Sequence, residues 1–336
     1  MDNLREKLEG FRLAKYRFVL QPNEFIKLNT YAGSSLRRAF IPVFKQIACL
    51  NLEAECDQCE KREECPYYRT MEEPVNHEDP AYRRYQTPPK PFIFEPPLKR
   101  RTFYSHNDEL TFDLILFGEA LEFFPFFAAA IRRLGELGIG RNQGKYTLKR
   151  ILAFDLLKNS VVGEYAFDST EASFDKDISV ALSQLLDKYE REYQEISQIT
   201  VSIVTPLRMK RLGTENWHLY FRTLVRSVLV RLANLAYSYC GYDEFLEFPD
   251  IIYRAGRIRT VKENFIWEDW RPPNQRMNDN VRLGGFVGDI IYQGPITEFW
   301  PVLRLGEVLH VGKNTSFGLG RILVEPDEAT SKTRAL

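Results

Sequence analysis

Residues 117–152 and 293–323 carry the same run of signals in the same order. A chain that repeats itself on this scale is restricted to two copies of one supersecondary unit. The first run reads FGEALEFFPFFAAAIRRLGELGIGRNQGKYTLKRIL and the second QGPITEFWPVLRLGEVLHVGKNTSFGLGRIL. In each, a strand leads to a glycine, and Glu-Phe-aromatic-Pro then opens a helix. A glycine-rich turn with a cation follows (Gly140-Arg141-Asn142 and Gly312-Lys313-Asn314), and a last strand contains Arg-Ile-Leu. Upstream of the first run, residues 15–20 (KYRFVL) alternate as a strand does. Ser34–Leu50 then places Leu36, Phe40, Val43, Phe44 and Ile47 on one helical face. Upstream of the second, Ile199–Val204 reads as a strand and Trp217–Tyr239 as a helix, with Leu224, Val228, Leu232 and Leu235 at helical spacing. The reading is an α+β chain built from a duplicated βαββαβ unit.

At 336 residues there is room for two domains of ordinary size. The first is expected over 1–166, with a cysteine-rich insertion at 49–65 and an irregular excursion at 70–100 that holds seven prolines. A linker is expected over 167–197. The second domain is expected over 198–336, with a glycine-rich loop at 312–320. No apolar run reaches about 18 residues, and the chain opens on the charged MDNLREKLEG, so a cytoplasmic protein with no membrane partner is expected. Forty-six basic residues balance forty-six acidic ones, which excludes a polybasic RNA coat. The balance hides an asymmetry: residues 158–198 carry nine acids against four bases, while 200–282 carry thirteen bases against nine acids. The second half therefore has positive charge to offer a polyanion.

Four of the five cysteines, Cys49, Cys56, Cys59 and Cys65, fall within seventeen positions. In a reducing compartment that clustering reads as metal ligation before disulfides. Four thiolates around a Cys-x2-Cys core suit a tetrahedral zinc; an iron–sulfur cluster and simple reduced thiols are the alternatives. Either metal would be structural, because four cysteine ligands leave no open position. Cys240, at the end of an apolar helix, reads as a small core residue.

The segment Gly306–Arg321 (GEVLHVGKNTSFGLGR) has the look of a phosphate-binding loop, but five residues rather than four separate Gly306 from Gly312. Asn314 also stands where that loop needs Ser or Thr. What is left is a glycine-rich turn, Gly312, Gly318 and Gly320, beside Lys313, suited to close approach to a nucleic-acid backbone. Basic and aromatic residues interleave through Tyr253, Arg254, Arg257, Arg259, Lys262, Trp267, Trp270, Arg271, Arg276 and Arg282, the mixture that RNA recognition uses.

WEDWRPPNQRMNDNVRLGGFVGDIIYQG followed by FWPVLRLGEVLHVGKNTSFGLGRI resembles the C-terminal domain of the Cas6 family of CRISPR precursor-RNA endoribonucleases. TPLRMK at 205–210 and YAGSSLRRAF at 31–40 resemble signatures of the wider RAMP superfamily. The resemblance spans about 200–325 strongly and the first half weakly. It implies two tandem ferredoxin-like (RRM-like) domains. It also implies binding of CRISPR repeat RNA or precursor crRNA, and metal-independent cleavage that leaves a 5′-hydroxyl and a 2′,3′-cyclic phosphate. CRISPR effector subunits and a second copy of the chain are the protein partners it allows. Arg208 and Lys210 of the TPLRMK segment, with Arg254, Arg257 and Arg259, are its expected RNA contacts.

Such a cut needs a base on the 2′-hydroxyl, an acid at the leaving 5′-oxygen and a cation for the charge that develops. Histidine suits the proton transfers, and the chain has only four: His77, His106, His218 and His310. Family members often place a catalytic histidine on the first helix, and none stands between Tyr31 and Leu50 here. That departure keeps open a catalytically inert RAMP subunit that holds guide RNA. For an enzyme, His310 ranks first because it precedes the glycine-rich turn and Lys313, the cation expected to stabilise the developing charge; His218 is next, and Tyr31 matches a region where a tyrosine can assist.

Overall fold

The computed structural model describes residues 8–72, 89–98, 101–166, 177–192, 195–209, 218–268 and 284–327. The chain divides into two compact units, one of Phe11–Val180 with Ser238–Gly241, the other running from Ala181 to Tyr237 and again from Tyr242.

The N-terminal unit starts with strand β1 (Arg12–Pro22), the short β2 (Ile26–Lys27) and helix α1 (Ala32–Ala48). After the cysteine segment come β3 (Phe92–Glu95), the short β4 (Phe103–Tyr104) and β5 (Leu110–Phe117). Helix α2 (Phe124–Leu137), β6 (Tyr146–Asp155) and β7 (Ser160–Ala166) complete the series. The sheet order is β3-β5-β1-β6-β7, every neighbour antiparallel. The apolar faces of α1 and α2 meet the sheet through aromatic rings: Phe40 lies 5.0 Å from Phe94 and 5.3 Å from Phe127, and Phe44 lies 4.7 Å from Phe127. Burying rings of this size dominates the energetics of a core.

In the C-terminal unit, helix α3 (Leu182–Glu190) follows the two-residue strand β8 (Val180–Ala181). Strand β9 (Gln198–Leu207), helix α4 (Phe221–Tyr239) and the short α5 (Pro249–Arg254) come next. They are followed by β10 (Arg259–Glu268), β11 (Gly285–Gln293), α6 (Trp300–Leu309) and β12 (Ile322–Pro326). The sheet order β10-β11-β9-β12 reproduces that of β3-β5-β1-β6, again with antiparallel neighbours. Both units therefore have the ferredoxin-like arrangement, with the first strand central and the last beside it. The equivalence reaches single residues. Ile151 of the first Arg-Ile-Leu pairs with Phe18 on β1, and Ile322 of the second pairs with Ile203 on β9. A single 3-10 turn feeds α2 and another feeds α6, each helix with its proline in the first turn.

Two expectations need correcting. The excursion 70–100 holds the edge strand β3, whose four residues are all buried; an apolar run with both faces covered shows no alternation, and its flanking prolines read as irregular chain. The expected linker 167–197 is structured in its later part. There α3 packs on α6: Arg304 lies over the Tyr189 ring at 5.1 Å, and the Trp300 Nε1–H donates to Glu192 at 2.9 Å. Among the described residues no helix is long and apolar enough to cross a membrane.

Candidate functional site

The glycine-rich turn between α6 and β12 folds back on the end of β9, so the two segments singled out as signatures, TPLR and GKNTSFGLG, touch. Lys313 N–H donates to the Arg208 carbonyl at 2.9 Å, Gly320 N–H to Pro206 at 3.1 Å, and the Thr205 hydroxyl to the Gly318 carbonyl at 2.9 Å. Arg321 N–H donates in turn to the Thr205 hydroxyl at 2.8 Å. The N-terminal unit repeats the device: Arg141 N–H donates to the Lys27 carbonyl at 2.8 Å. Gly140 and Gly312, at φ +81° and +85°, both stand where a Cβ would strike that receiving carbonyl. The glycines are thus a requirement of close backbone approach.

This corrects the expected part of Gly318 and Gly320 in RNA contact. Both are buried, and Thr315–Leu319 are buried with them; only Gly312, Lys313 and Asn314 reach the surface. Their amides are spent on the fold. His310 is corrected for the same reason. It caps α6 at φ +57°, is fully buried, and has Nδ1 3.1 Å from the Leu319 carbonyl oxygen. A proton shuttle has to reach its substrate, and this ring is closed off by the turn it supports. Lys313 is exposed and Arg208 half-buried, and both keep their place at the mouth of the turn. Lys210 lies outside the described residues, as do His77, Trp270, Arg271, Arg276 and Arg282. Tyr31 belongs to the N-terminal unit, where it is the buried residue preceding α1 and its carbonyl receives the Ser34 amide and hydroxyl.

A second cluster forms where the start of α4, α5 and β10 meet. His218 is exposed (61% of its side chain), and its Nδ1 lies 2.6 Å from Glu263 Oε2 on β10. The other carboxylate oxygen, Oε1, accepts the Leu219 amide at 3.0 Å. Glu263 is itself only 14% exposed, so the ring is held against a carboxylate fixed by the sheet edge. The Tyr292 hydroxyl on β11 donates to the Leu219 carbonyl at 2.6 Å, and the Phe221 ring packs 5.1 Å from Tyr292 and 5.2 Å from Phe299. Cations stand nearby in the chain: Arg222 lies in the first turn of α4, four residues after His218, and its Cδ is 3.7 Å from the Cβ position of Gly256, the neighbour in sequence of exposed Arg257. Arg222, Arg257 and Lys262 pair with no acid among the described residues. Arg254 bonds Glu298 at 2.8 Å, and Arg259 Nε donates to the Gln293 side chain at 3.0 Å. Tyr220 and Tyr253 are both more than 60% exposed. Sequence reasoning named His218, Arg254, Arg257 and Arg259 but missed Glu263, which stands 45 residues from its partner in sequence and carries no local signal.

The cysteines fall short of the expected site. Cys49, Cys56 and Cys65 are near neighbours, and burial together with the other thiols raises the pKa of Cys49 and Cys56. Among the described residues, however, no three His, Cys, Asp or Glu side chains are gathered as a metal requires. Cys240 keeps its reading as a packed thiol, with burial pushing its pKa up to about 12.

Comparison with known proteins puts these features in context. Residues 201–322 match the family model of the CRISPR-associated endoribonuclease Cas6, and residues 11–172 match a family model described as an N-terminal domain, AF_1859_N. An uncharacterized protein of Archaeoglobus fulgidus is 24% identical over 298 residues, 87% of this chain and 91% of that protein. A partial Cas6-RT-Cas1–Cas2 complex aligns with a TM-score of 0.57 at 12% identity, over 96% of this chain, which spans 47% of that one. A Cas6 product complex aligns with a TM-score of 0.52 at 13% identity, over 93% of this chain and 100% of that one. Likeness at that identity is likeness of fold.

Proposed function

We propose that this chain, whose residues 201–322 match the model of the Cas6 family of CRISPR-associated endoribonucleases, binds CRISPR repeat RNA and cuts precursor crRNA. The cut is attack by a ribose 2′-oxygen on the adjacent phosphorus with loss of the 5′-oxygen, giving 2′,3′-cyclic phosphate and 5′-hydroxyl ends without a catalytic metal. The observation that carries the reading is the basic and aromatic part of the C-terminal unit, where Arg222, Arg257 and Lys262 have no acidic partner among the described residues and Tyr220 and Tyr253 are exposed. Cations left unpaired at one place favour a polyanion, and exposed rings accept unstacked bases. Lys313 and Arg208 offer a second pair of cations at the glycine-rich turn.

The test is incubation of the purified chain with repeat RNA in EDTA. Cleavage with cyclic-phosphate ends, abolished by a single 2′-deoxyribose at the cut, is the expected result. Dependence on added magnesium overturns the mechanism, and tight binding with no cut identifies an inert RNA-holding subunit. The cysteine segment is proposed, on its spacing, to be a structural zinc knuckle with no part in the cut. Elemental analysis of gently purified protein is expected to find about one zinc per chain, and finding neither zinc nor iron overturns it. CRISPR effector subunits and a second copy of the chain are the proposed protein partners; co-purification and light scattering test them.

A further inference from the structure

From the cluster at the start of α4 we infer that His218 is the general base that takes the 2′-hydroxyl proton and that Glu263 is its positioning residue; the inference rests on the reading of the chain as a repeat-RNA nuclease. A surface histidine on a loop ordinarily samples many rotamers and has no reason to hold one. Here Glu263 fixes it from the edge strand, one oxygen 2.6 Å from Nδ1 and the other receiving the Leu219 amide at 3.0 Å. A carboxylate accepts hydrogen bonds, so the tautomer it selects carries its hydrogen on Nδ1 and leaves Nε2 as a bare acceptor. That is the division of labour of an oriented base: the buried carboxylate holds the ring, and the outer nitrogen takes the proton.

Its surroundings suit a phosphodiester. Arg222, Arg257 and Lys262 have no acidic partner among the described residues to spend their charge on, and the exposed Tyr220 ring lies 6.3 Å from the His218 ring, able to hold a base splayed from its neighbour. In the step, the 2′-oxygen bonds to phosphorus as its proton passes to His218 Nε2. The bond from phosphorus to the 5′-oxygen then breaks, and the departing oxygen is protonated from water. No oxidant or metal enters the balance. The strand register separates this point from the glycine-rich turn. Glu263 pairs with Ile290, which pairs with Val201, whereas the turn grips β9 at Pro206 and Arg208. At about 3.3 Å per residue that is roughly 20 Å along the sheet, so RNA spanning both would be held at the turn and cut at the histidine.

The experiment is single-turnover cleavage of repeat RNA by the full chain and by His218→Ala, His218→Gln and Glu263→Gln, with RNA affinity measured alongside. His218 is exposed, so its variants fold. Both histidine variants are expected to lose about 100- to 10,000-fold in rate with affinity within a few-fold of wild type. Added imidazole is expected to restore part of the rate to His218→Ala, an effect that a merely structural role does not produce. Glu263→Gln, which keeps the shape and loses the charge, is expected to fall between. Wild-type cleavage with His218→Ala at a near wild-type rate overturns the inference and leaves the proposed function standing, and so does a loss that follows affinity and is not rescued by imidazole. A wild-type chain that binds repeat RNA and never cuts it overturns both.

Discussion

Replacing Gly320 with alanine tests the claim that the glycine-rich turn is a structural clasp. Gly320 sits at φ +69°, and an added Cβ would overlap the Val311 carbonyl. The left-handed backbone alone costs about 1–2 kcal/mol for a residue with a Cβ. Relieving the overlap means pulling Gly320 away from Val311, which breaks the Val311 N–H bond to the Gly320 carbonyl (2.8 Å) and the Gly320 N–H bond to Pro206 (3.1 Å). Each bond is worth about 1 kcal/mol net, so the loss is about 3–4 kcal/mol, a large share of a typical stability of about 5–15 kcal/mol. Gly256→Ala is the control: its φ is ordinary and its added Cβ meets only Arg222 Cδ at 3.7 Å, which predicts a change within about 0.5 kcal/mol. All four tryptophans fall in the C-terminal half, at 217, 267, 270 and 300, so urea unfolding followed by tryptophan fluorescence reports on that part of the chain. If Gly320→Ala unfolds within about 0.5 kcal/mol of Gly256→Ala, the turn does not make the close approach argued for it.

Other outcomes follow from the N-terminal unit. Lys15 bridges two largely buried acids, Glu95 at 2.6 Å and Asp113 at 3.0 Å, with Arg17 on the far side of Asp113 at 2.6 Å. Lys15→Met removes the cation that bridges the two acids and is expected to destabilise the unit by about 3–5 kcal/mol in chemical denaturation; a change below about 1 kcal/mol shows that the bridge carries little of the network's stability. Asp108 accepts the Ser105 amide and hydroxyl and pairs with Arg101, which holds its pKa down at about 2 from 3.8. A depressed acid stabilises the folded state above its unfolded pKa, and the contribution fades as pH falls from 3.8 to about 2. Asp108→Asn is therefore expected to flatten the acid-unfolding curve in that window, and an unchanged curve refutes it. His310→Ala, by contrast with His218→Ala, is expected to lower the melting temperature and to leave the cleavage rate of the folded fraction unaltered.

Much of the architecture was legible in the sequence because it depends on local signals. The duplication showed in Glu-Phe-aromatic-Pro, in the two glycine turns and in two Arg-Ile-Leu strands, all set by short-range backbone chemistry. The helical faces around Phe40 and Phe44, and around Leu224 and Val228, followed from spacing. β3 was missed because a strand buried on both faces has no alternation to read, and α3 because its partner, α6, lies more than a hundred residues away in sequence.

The site divides in the same way. Which groups were available could be read from the residues alone: four histidines, a cation-rich second half and a glycine turn that begins Gly312-Lys313. The tertiary structure alone decided which of them face solvent and which are consumed by the fold. His310 stands beside the most conspicuous motif, yet it is buried because that motif must clasp the end of β9. His218 is undistinguished in sequence. It gains an orienting carboxylate because β10 returns, 45 residues later, to bring Glu263 beside the start of α4. Proximity along a chain restricts where two residues can meet only over a few positions; beyond that, strand register and helix packing settle it.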